Sequence, residues 1–428
     1  MDTKAHAARA TLAAATRIGE TLCATAYWDE RRTHCAWMGY ADVGSPAQGN
    51  ETTAFAAVDA NLYSGTAGVA LFLAELYALT RSPLFGETSL AALKRSINLL
   101  KSTNAQAAPL SLFSGHLGAA YVASRLIDIG LGEDLEGELD WLVARSLEGL
   151  GGPHLLDLVS GNAGAIPVLL TLSHRKGLER CFDAARACGD ELCATAARQD
   201  GLCSWEATRA SGFDAPALTG FSHGASGIAL ALLELHARTG SAQFLETARG
   251  AFAYEDTFFS QGRGNWLDLR HPYVRNGDDV EGSAQATWCH GAPGIGLARL
   301  RAMSLDRESE EEHRRTARVA LNATTAAIAD ALGTPRSDAT LCHGLAGLSE
   351  VVLIFAELLE DESCRTLAAD TALKLVGLYG QAGDWPSGTT SGKQSPTLML
   401  GSAGVGHHLL RLHAPGQVPP VLLFTART

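Results

Sequence analysis

The chain contains a series of apolar runs with helical composition, among them AGVALFLAELYALT from Ala67, ASGIALALLELHART from Ala225 and AGLSEVVLIFAELLE from Ala346. Several of these runs are apolar on nearly every side, which is typical of a helix buried inside a protein. Between them lie amphipathic segments such as TSLAALKRSINLLKS and DLEGELDWLVARSLEG. These segments predict outer helices that bury one stripe. The pattern therefore predicts an all-α protein with inner and outer helices.

A Gly-x-x-Gly step accompanies each of seven inner runs, and the spacing of the steps defines a repeat. The steps begin at Gly65, Gly115, Gly161, Gly224, Gly291, Gly344 and Gly401, at intervals of 46 to 67 residues. A single step of this kind carries no information, but seven in similar surroundings indicate an internal repeat. Each repeat consists of an outer helix, a loop, a glycine step and an inner helix. Seven such helical hairpins can stack as an open solenoid or close into a ring.

Two features favour the ring. The glycine steps carry the polar and reactive residues, and a closed barrel gathers them around one mouth. The terminal repeats are also no more polar than the others, although the caps of an open solenoid should be. Without Cβ atoms, the glycines let two backbones approach closely. We therefore predict one domain over residues 1–428, in which residues 61–428 form the ring. Residues 1–60 form a lead-in with one helix and an irregular stretch, YADVGSPAQGNETTA.

Composition narrows the range of partners. The net charge is −12 and no basic block is present, which argues against nucleic acid or an anionic membrane surface as the main partner. No apolar run reaches the 18 or so residues of a membrane span, and the N-terminus lacks the features of a signal peptide. Nine cysteines without regular spacing do not resemble a disulfide framework. These features predict a protein of the reducing cytoplasm.

Two related phrases, WCHGAPG and LCHGLAG, place Cys289, Cys342 and His343 directly before glycine steps. Cysteine and histidine are ligands that Zn²⁺ prefers, and three such ligands with one open position are typical of a catalytic zinc. The alternative is a pair of buried structural cysteines with a capping histidine. If the open position takes water, the chemistry is hydrolysis. If it takes a thiol, the chemistry is addition by sulfur, which two thiolate ligands favour because they leave the metal nearly neutral.

Other residues near the steps are candidates for proton transfer. His223 occupies the position in its repeat that His290 and His343 occupy in theirs, and it is either a general acid or base or a capping residue. Asp157, four residues before Gly161, either orients this histidine or caps the following turn. His116 and His290 are further candidates at the mouth.

These motifs together resemble those of the lanthionine synthetase C-like (LanC-like) cyclase family, from about Asn61 to the end of the chain. The resemblance rests on WCHGAPG, LCHG, the SHG phrase of the fourth repeat and the sevenfold glycine pattern. In detail the chain is most similar to the cyclase half of class II lanthipeptide synthetases, the LanM type. The resemblance implies an α/α toroid of seven inner and seven outer helices. It also implies that Cys289, Cys342 and His343 bind zinc, with His223 as the catalytic histidine and Asp157 as its acidic partner.

The activity implied by the resemblance is thioether ring formation. A cysteine thiolate of a dehydrated precursor peptide adds to dehydroalanine or dehydrobutyrine and gives lanthionine or methyllanthionine. The class II enzymes carry a large dehydratase region before the cyclase, and this chain begins without it. Either a separate dehydratase, the expected partner, acts on the precursor, or the chain is an excised domain or a cyclase that works on an already dehydrated peptide. A second departure is Gln285, where single-domain members often carry an arginine that Arg270 or Arg275 could replace. Two other functions stay open, namely addition of glutathione to dehydroamino acids and a non-catalytic scaffold for a dehydratase. The long loop over residues 260–286 is the predicted substrate contact.

Overall fold

The computed structural model describes residues 3–43, 52–102, 110–152, 154–206, 215–277 and 279–425, which contain fourteen α-helices. Seven are buried along most of their length and form an inner layer: α2 Thr66–Thr80, α4 His116–Asp128, α6 Asn162–Leu172, α8 Ala225–Thr239, α10 Ala292–Leu305, α12 Leu345–Leu358 and α14 Ser402–His413. Seven form an outer layer: α1 Thr3–Thr25, α3 Pro83–Ser102, α5 Glu136–Leu147, α7 Arg180–Thr195, α9 Ala242–Asp256, α11 Glu310–Gly333 and α13 Glu362–Tyr379.

The inner helices close into a ring. Each contacts the inner helices of two neighbouring repeats, and the succession from α2 to α14 returns from α14 to α2. The predicted all-α toroid is therefore confirmed. Six outer helices pack against the inner helix that precedes them, whereas α1 packs against α14. The helix predicted in the lead-in thus covers the last inner helix. The buried residues of α1 include Ala14, Ile18 and Leu22.

Short antiparallel hairpins lie in the loops of the described chain. They pair β1 Tyr27–Trp28 with β2 Cys35–Ala36, β3 Met38–Val43 with β4 Thr52–Ala57, β5 Ala197–Gln199 with β6 Leu202–Ser204, β7 Phe259–Ser260 with β8 Asn265–Trp266, and β9 Tyr273–Asn276 with β10 Asp279–Gly282. The prediction of an irregular stretch over residues 40–54 is wrong where β3 and β4 pair, and residues 44–51 lie outside the described ranges. Tyr40 opposes Phe55 there, with ring centroids 5.0 Å apart, a cross-strand aromatic contact that stabilises the hairpin.

The glycine steps allow close approach of neighbouring repeats, as the sequence predicts. A Cβ atom at Gly68 would lie 2.2 Å from the carbonyl oxygen of Leu62 and 2.6 Å from the Cβ of Leu398 in the adjacent repeat. A Cβ atom at Gly294 would lie 2.5 Å from the Cβ of Phe221, again in the adjacent repeat. Any side chain at these positions would push the inner helices apart. The steps are therefore the contacts that set the width of the ring.

Residues 415–424, which we call the strap, follow α14, and Val421, Leu422 and Leu423 of this segment are buried. Leu422 and Phe424 line a small internal cavity together with residues of three other repeats, including Leu158 and Phe221. The indole Nε1 of Trp288 donates a hydrogen bond of 3.0 Å to the carbonyl oxygen of Leu422. The strap therefore supports the residue that directly precedes Cys289. No helix of the described residues is long and apolar enough to cross a membrane.

Candidate metal centre

The three predicted metal ligands meet between the N-terminal ends of α10 and α12. Their ligand atoms, the sulfurs of Cys289 and Cys342 and a ring nitrogen of His343, all lie within 4.8 Å of one another. Both thiols are buried, whereas the His343 side chain is 37% exposed. Two sulfurs and one imidazole nitrogen form a donor set that suits Zn²⁺ and does not suit Mg²⁺ or Ca²⁺. The exposed side of His343 leaves room for a further ligand from outside the chain.

Each sulfur also contacts a hydroxyl group that the sequence analysis did not identify. The phenol of Tyr63 donates to Cys342 Sγ at 2.9 Å, and Thr287 Oγ1 lies 3.3 Å from Cys289 Sγ. Outer partners of this kind orient ligands and adjust their charge. A signal for Tyr63 was available in the sequence. It stands two residues before Gly65, as each cysteine stands two residues before the first glycine of its own step.

The electrostatics of the cluster favour an ionised sulfur. A hydrogen bond from Cys342, and a further one from His343, hold the pKa of the Cys289 thiol well below its usual range despite its burial. Burial alone would lower the pKa of His343, but its hydrogen bond to Cys289 and the charge of that sulfur raise it. Asp338 Oδ2 lies 3.9 Å from His343 Nδ1. A thiolate is the form of cysteine that binds metal ions.

The second predicted pair is also assembled. His223 Nδ1 lies 2.9 Å from Asp157 Oδ2, and the His223 side chain is 39% exposed. The other carboxylate oxygen of Asp157, Oδ1, accepts the backbone N–H of Ser160 at 2.5 Å. Both interpretations that the sequence left open for Asp157 therefore apply, because one oxygen caps the turn and the other contacts the histidine. His223 adjoins the cysteine cluster, since the N–H of the preceding Ser222 donates to the carbonyl oxygen of Cys289.

The two remaining candidate histidines occupy different surroundings. The ring of His290 lies 5.9 Å from that of His223, centroid to centroid, and its burial lowers its pKa to about 4. His290 is therefore neutral near neutral pH. His116 is buried against Trp141 of the outer helix α5, with a centroid distance of 5.9 Å. The structure thus brings His290 to the mouth with His223 and places His116 between two helices.

Arg270 interacts electrostatically with the cysteine and histidine cluster. It forms an ion pair of 2.7 Å with the buried carboxylate of Asp268. Burial opposes its charge, but the hydrogen bond to Asp268 prevails and raises the pKa of Arg270, and the sulfurs of Cys289 and Cys342 contribute to the same effect. Arg275, in contrast, donates to a backbone carbonyl of residue 257 and stacks on Phe258.

The loop over residues 260–286 shapes the glycine step of the fifth repeat. Asn265 Oδ1 accepts the backbone N–H of Ala292 at 2.8 Å, and Asn265 Nδ2 donates to the carbonyl oxygen of Gln285 at 3.0 Å. Gly291 adopts a positive φ of 83°, whereas the equivalent glycines of the other steps are extended. This loop therefore holds Cys289 in place, and its contact with substrate stays a prediction.

The fold and the site together define a class of protein. The members of this class are closed α/α toroids with cysteine and histidine side chains at one end. The family model described as lanthionine synthetase C-like protein matches residues 56–423, and the chain belongs to this family. Among solved structures, nisin cyclase matches with a TM-score of 0.67 and 18% identity, over 84% of this chain and 90% of that chain.

Other solved structures match less well. A polysaccharide lyase matches with a TM-score of 0.42 and 13% identity, over 84% of this chain and 90% of that chain. A sugar epimerase from a ruminal bacterium matches with a TM-score of 0.45 and 11% identity, over 93% of this chain and 96% of that chain. Neither bears on the function of this chain. No curated protein matches the chain in sequence.

Proposed function

We propose that this protein is a zinc-dependent lanthipeptide cyclase that adds peptide cysteine thiolates to dehydroalanine or dehydrobutyrine. The observation that carries the proposal is the convergence of Cys289, Cys342 and His343 within 4.8 Å, beside the His223–Asp157 pair. Membership in the LanC-like family and the nisin cyclase fold support the same reaction. The substrate is a precursor peptide that a separate enzyme has dehydrated, and the site of action is the cytoplasm.

The ligands and the proton-transfer pair divide the chemistry between them. Zinc held by Cys289, Cys342 and His343 would allow a substrate thiol to ionise near neutral pH. The sulfur then forms a bond to the β-carbon of the dehydro residue, and the alkene electron pair moves toward the carbonyl to give an enolate. The thiol has lost one proton and the α-carbon takes up one, so the product has the same atoms as the dehydrated peptide.

We assign the transfer of this proton to His223. Asp157 accepts a hydrogen bond from Nδ1–H, which leaves Nε2 as the nitrogen that exchanges a proton with substrate. The 39% exposure of His223 gives substrate access to this nitrogen. His290, neutral and 5.9 Å away between ring centroids, adds no second positive charge to oppose proton binding there.

The test uses a synthetic peptide with one dehydroalanine and one cysteine. We expect the zinc-loaded protein to convert it to a product of unchanged mass that no longer reacts with N-ethylmaleimide, as measured by mass spectrometry. Cys342→Ala and treatment with a chelator should abolish conversion, whereas Cys364→Ala, a buried cysteine of the outer helix α13, should not. Full activity of Cys342→Ala would contradict the metal mechanism.

The same assay separates the cyclase from the alternatives. With glutathione added, an intermolecular thiol transferase gives a product heavier by one glutathione, whereas a cyclase gives the ring at unchanged mass. A scaffold would give neither product, and its peptide binding would not depend on Cys342.

A further inference from the structure

The seven residues that stand two positions before the first glycine of each step follow one another around the toroid. At six of the seven junctions between them, a backbone N–H donates a hydrogen bond of 2.9–3.2 Å to a carbonyl oxygen of the neighbouring repeat. In each bond the N–H belongs to one repeat and the carbonyl oxygen to the next repeat around the toroid. The donor and acceptor pairs are Cys342 and Met399, Met399 and Tyr63, Tyr63 and Phe113, Phe113 and Val159, Val159 and Ser222, and Ser222 and Cys289. Six junctions between adjacent repeats are thus linked in the same way.

The seventh junction lies between Cys289 and Cys342 and differs from the others. No backbone hydrogen bond joins these two residues in the described chain, and their side chains face each other across the junction instead. The repeats on its two sides supply different ligands. The fifth repeat gives Cys289 alone, whereas the sixth gives Cys342 and the adjacent His343. A metal ion held by all three would therefore span the one junction that the backbone leaves open.

The fifth repeat is also the one whose step departs from the common conformation. In the repeats that begin at Gly65, Gly161, Gly224, Gly344 and Gly401, the first helical N–H donates to a carbonyl six residues before that glycine. In the fifth repeat that N–H, of Ala292, donates to the side chain of Asn265, and Gly291 has a positive φ. This local change removes the usual backbone geometry at the junction and leaves the Cys289 sulfur within reach of Cys342.

We infer that the metal supplies the missing seventh link and so completes this series of links between the fifth and sixth repeats, whose helices are already packed together. This structural role is additional to the reaction and rests on the metal site of the proposed function. A ring whose units are linked to both neighbours opens only when a link breaks, and here the break requires release of the metal. Metal binding should therefore slow opening at this junction. If only the metal-free junction can open, zinc lowers the population of the open form by the factor 1 + [L]/Kd. Exchange that depends on opening should therefore be roughly hundredfold slower when free zinc is 100 times its Kd.

Hydrogen–deuterium exchange of the full chain, with zinc and after chelation, tests this inference. We expect zinc to slow exchange in peptides over residues 286–300 and 339–350, which flank the open junction. Peptides over residues 110–122 report the Phe113–Val159 junction on another part of the ring and serve as the internal control. There the backbone link is present in both states, so we expect a change smaller than about threefold, in line with local opening units that respond independently.

Two variants distinguish bridging from simple metal loading. His343→Ala keeps one sulfur on each side of the junction, so zinc should still slow exchange over residues 286–300 in proportion to the occupancy measured by native mass spectrometry. Cys289→Ala leaves ligands in the sixth repeat only, and zinc should not slow exchange over residues 286–300. Equal slowing there in Cys289→Ala would overturn the inference.

The wild-type protein decides the question even if neither variant folds. If it binds one zinc but exchanges over residues 286–300 at the metal-free rate, the closure inference fails and the cyclase proposal stands. If the well-folded protein binds no zinc, the metal site itself is wrong and both proposals fail.

Discussion

Replacing Asp157 by asparagine separates the two contacts of this residue. In the wild type, Asp157 Oδ2 accepts from His223 at 2.9 Å, while Oδ1 accepts from the backbone of Ser160 at 2.5 Å. Asparagine can keep its Oδ1 on the Ser160 N–H, so the turn is retained. Its amide group then faces His223 as a donor, which requires His223 Nδ1 to act as an acceptor and moves the ring proton to Nε2.

The size of the effect follows from these contacts. When the ring proton of His223 is on the wrong nitrogen, the histidine no longer assists as a general acid or base. Such assistance contributes roughly 10²–10⁴-fold to a rate. We therefore expect Asp157→Asn to lower kcat by about two to four orders of magnitude. Asp157→Ala should lower kcat similarly and, because it also removes the contact with Ser160, should reduce the free energy of unfolding by about 1 kcal/mol.

The assay is thiol consumption in the single-ring peptide, with urea denaturation of each variant as the measure of stability. Zinc content is determined in parallel, and we expect one zinc per chain in both variants, since Asp157 lies outside the ligand set. Ser160→Pro, which removes the N–H that donates to Asp157 Oδ1, should reduce stability without the tautomer effect. A kcat of Asp157→Asn within threefold of the wild-type value would refute the assignment of His223 and Asp157 as the proton-transfer pair.

Three further predictions concern the metal ligands and the fold. Tyr63→Phe removes the hydroxyl on Cys342 Sγ and should weaken zinc affinity by about tenfold or more in a chelator competition. Gly291→Ala combines a positive φ of 83° with a Cβ in conflict with the carbonyl of residue 285, and should cost more than about 2 kcal/mol in thermal unfolding. Glu350 is buried, and despite its burial the charge of Arg411 lowers its pKa to about 2. The unfolded state therefore binds the proton more readily, and the ion pair should contribute roughly 3 kcal/mol above pH 4.5 that is lost as the pH falls toward 2.

Each of these predictions has a control variant or a result that would contradict it. Gly262→Ala is the control for Gly291→Ala, because a Cβ there meets nothing within 4 Å and its φ is not in the left-handed region. For Glu350, the difference in unfolding free energy between wild type and Glu350→Gln should shrink from pH 6 to pH 3, and a constant difference would contradict the ion-pair argument. For Tyr63→Phe, an unchanged zinc affinity would show that the hydroxyl plays no part in metal binding.

Many residues of the candidate site could be predicted from the repeat pattern. Because the glycine steps recur in register, positions equivalent within the repeat lie on the same rim of the toroid. Cys289, Cys342, His343 and His223 could therefore be grouped from their distance to the nearest step, although up to 120 positions separate them in the chain. Tyr63 obeys the same rule, but a tyrosine at this position also fits an ordinary packing role, so its type alone does not indicate a contact with sulfur. Thr287 and Asn265 follow no repeat rule, since they belong to the irregular entry into the fifth step.

The sequence by itself determined the helical class, the number of repeats and the identity of the three candidate metal ligands. Hydrophobic periodicity and glycine spacing are local, so each repeat carries its own signal. Only the tertiary structure decided how the ring closes. The packing of α1 on α14, the Tyr63 hydroxyl on a sulfur 279 positions away, and the open junction between Cys289 and Cys342 all depend on contacts between distant repeats. Such contacts are set by side-chain direction and by the sum of small rotations around the ring, which no single segment of the sequence specifies.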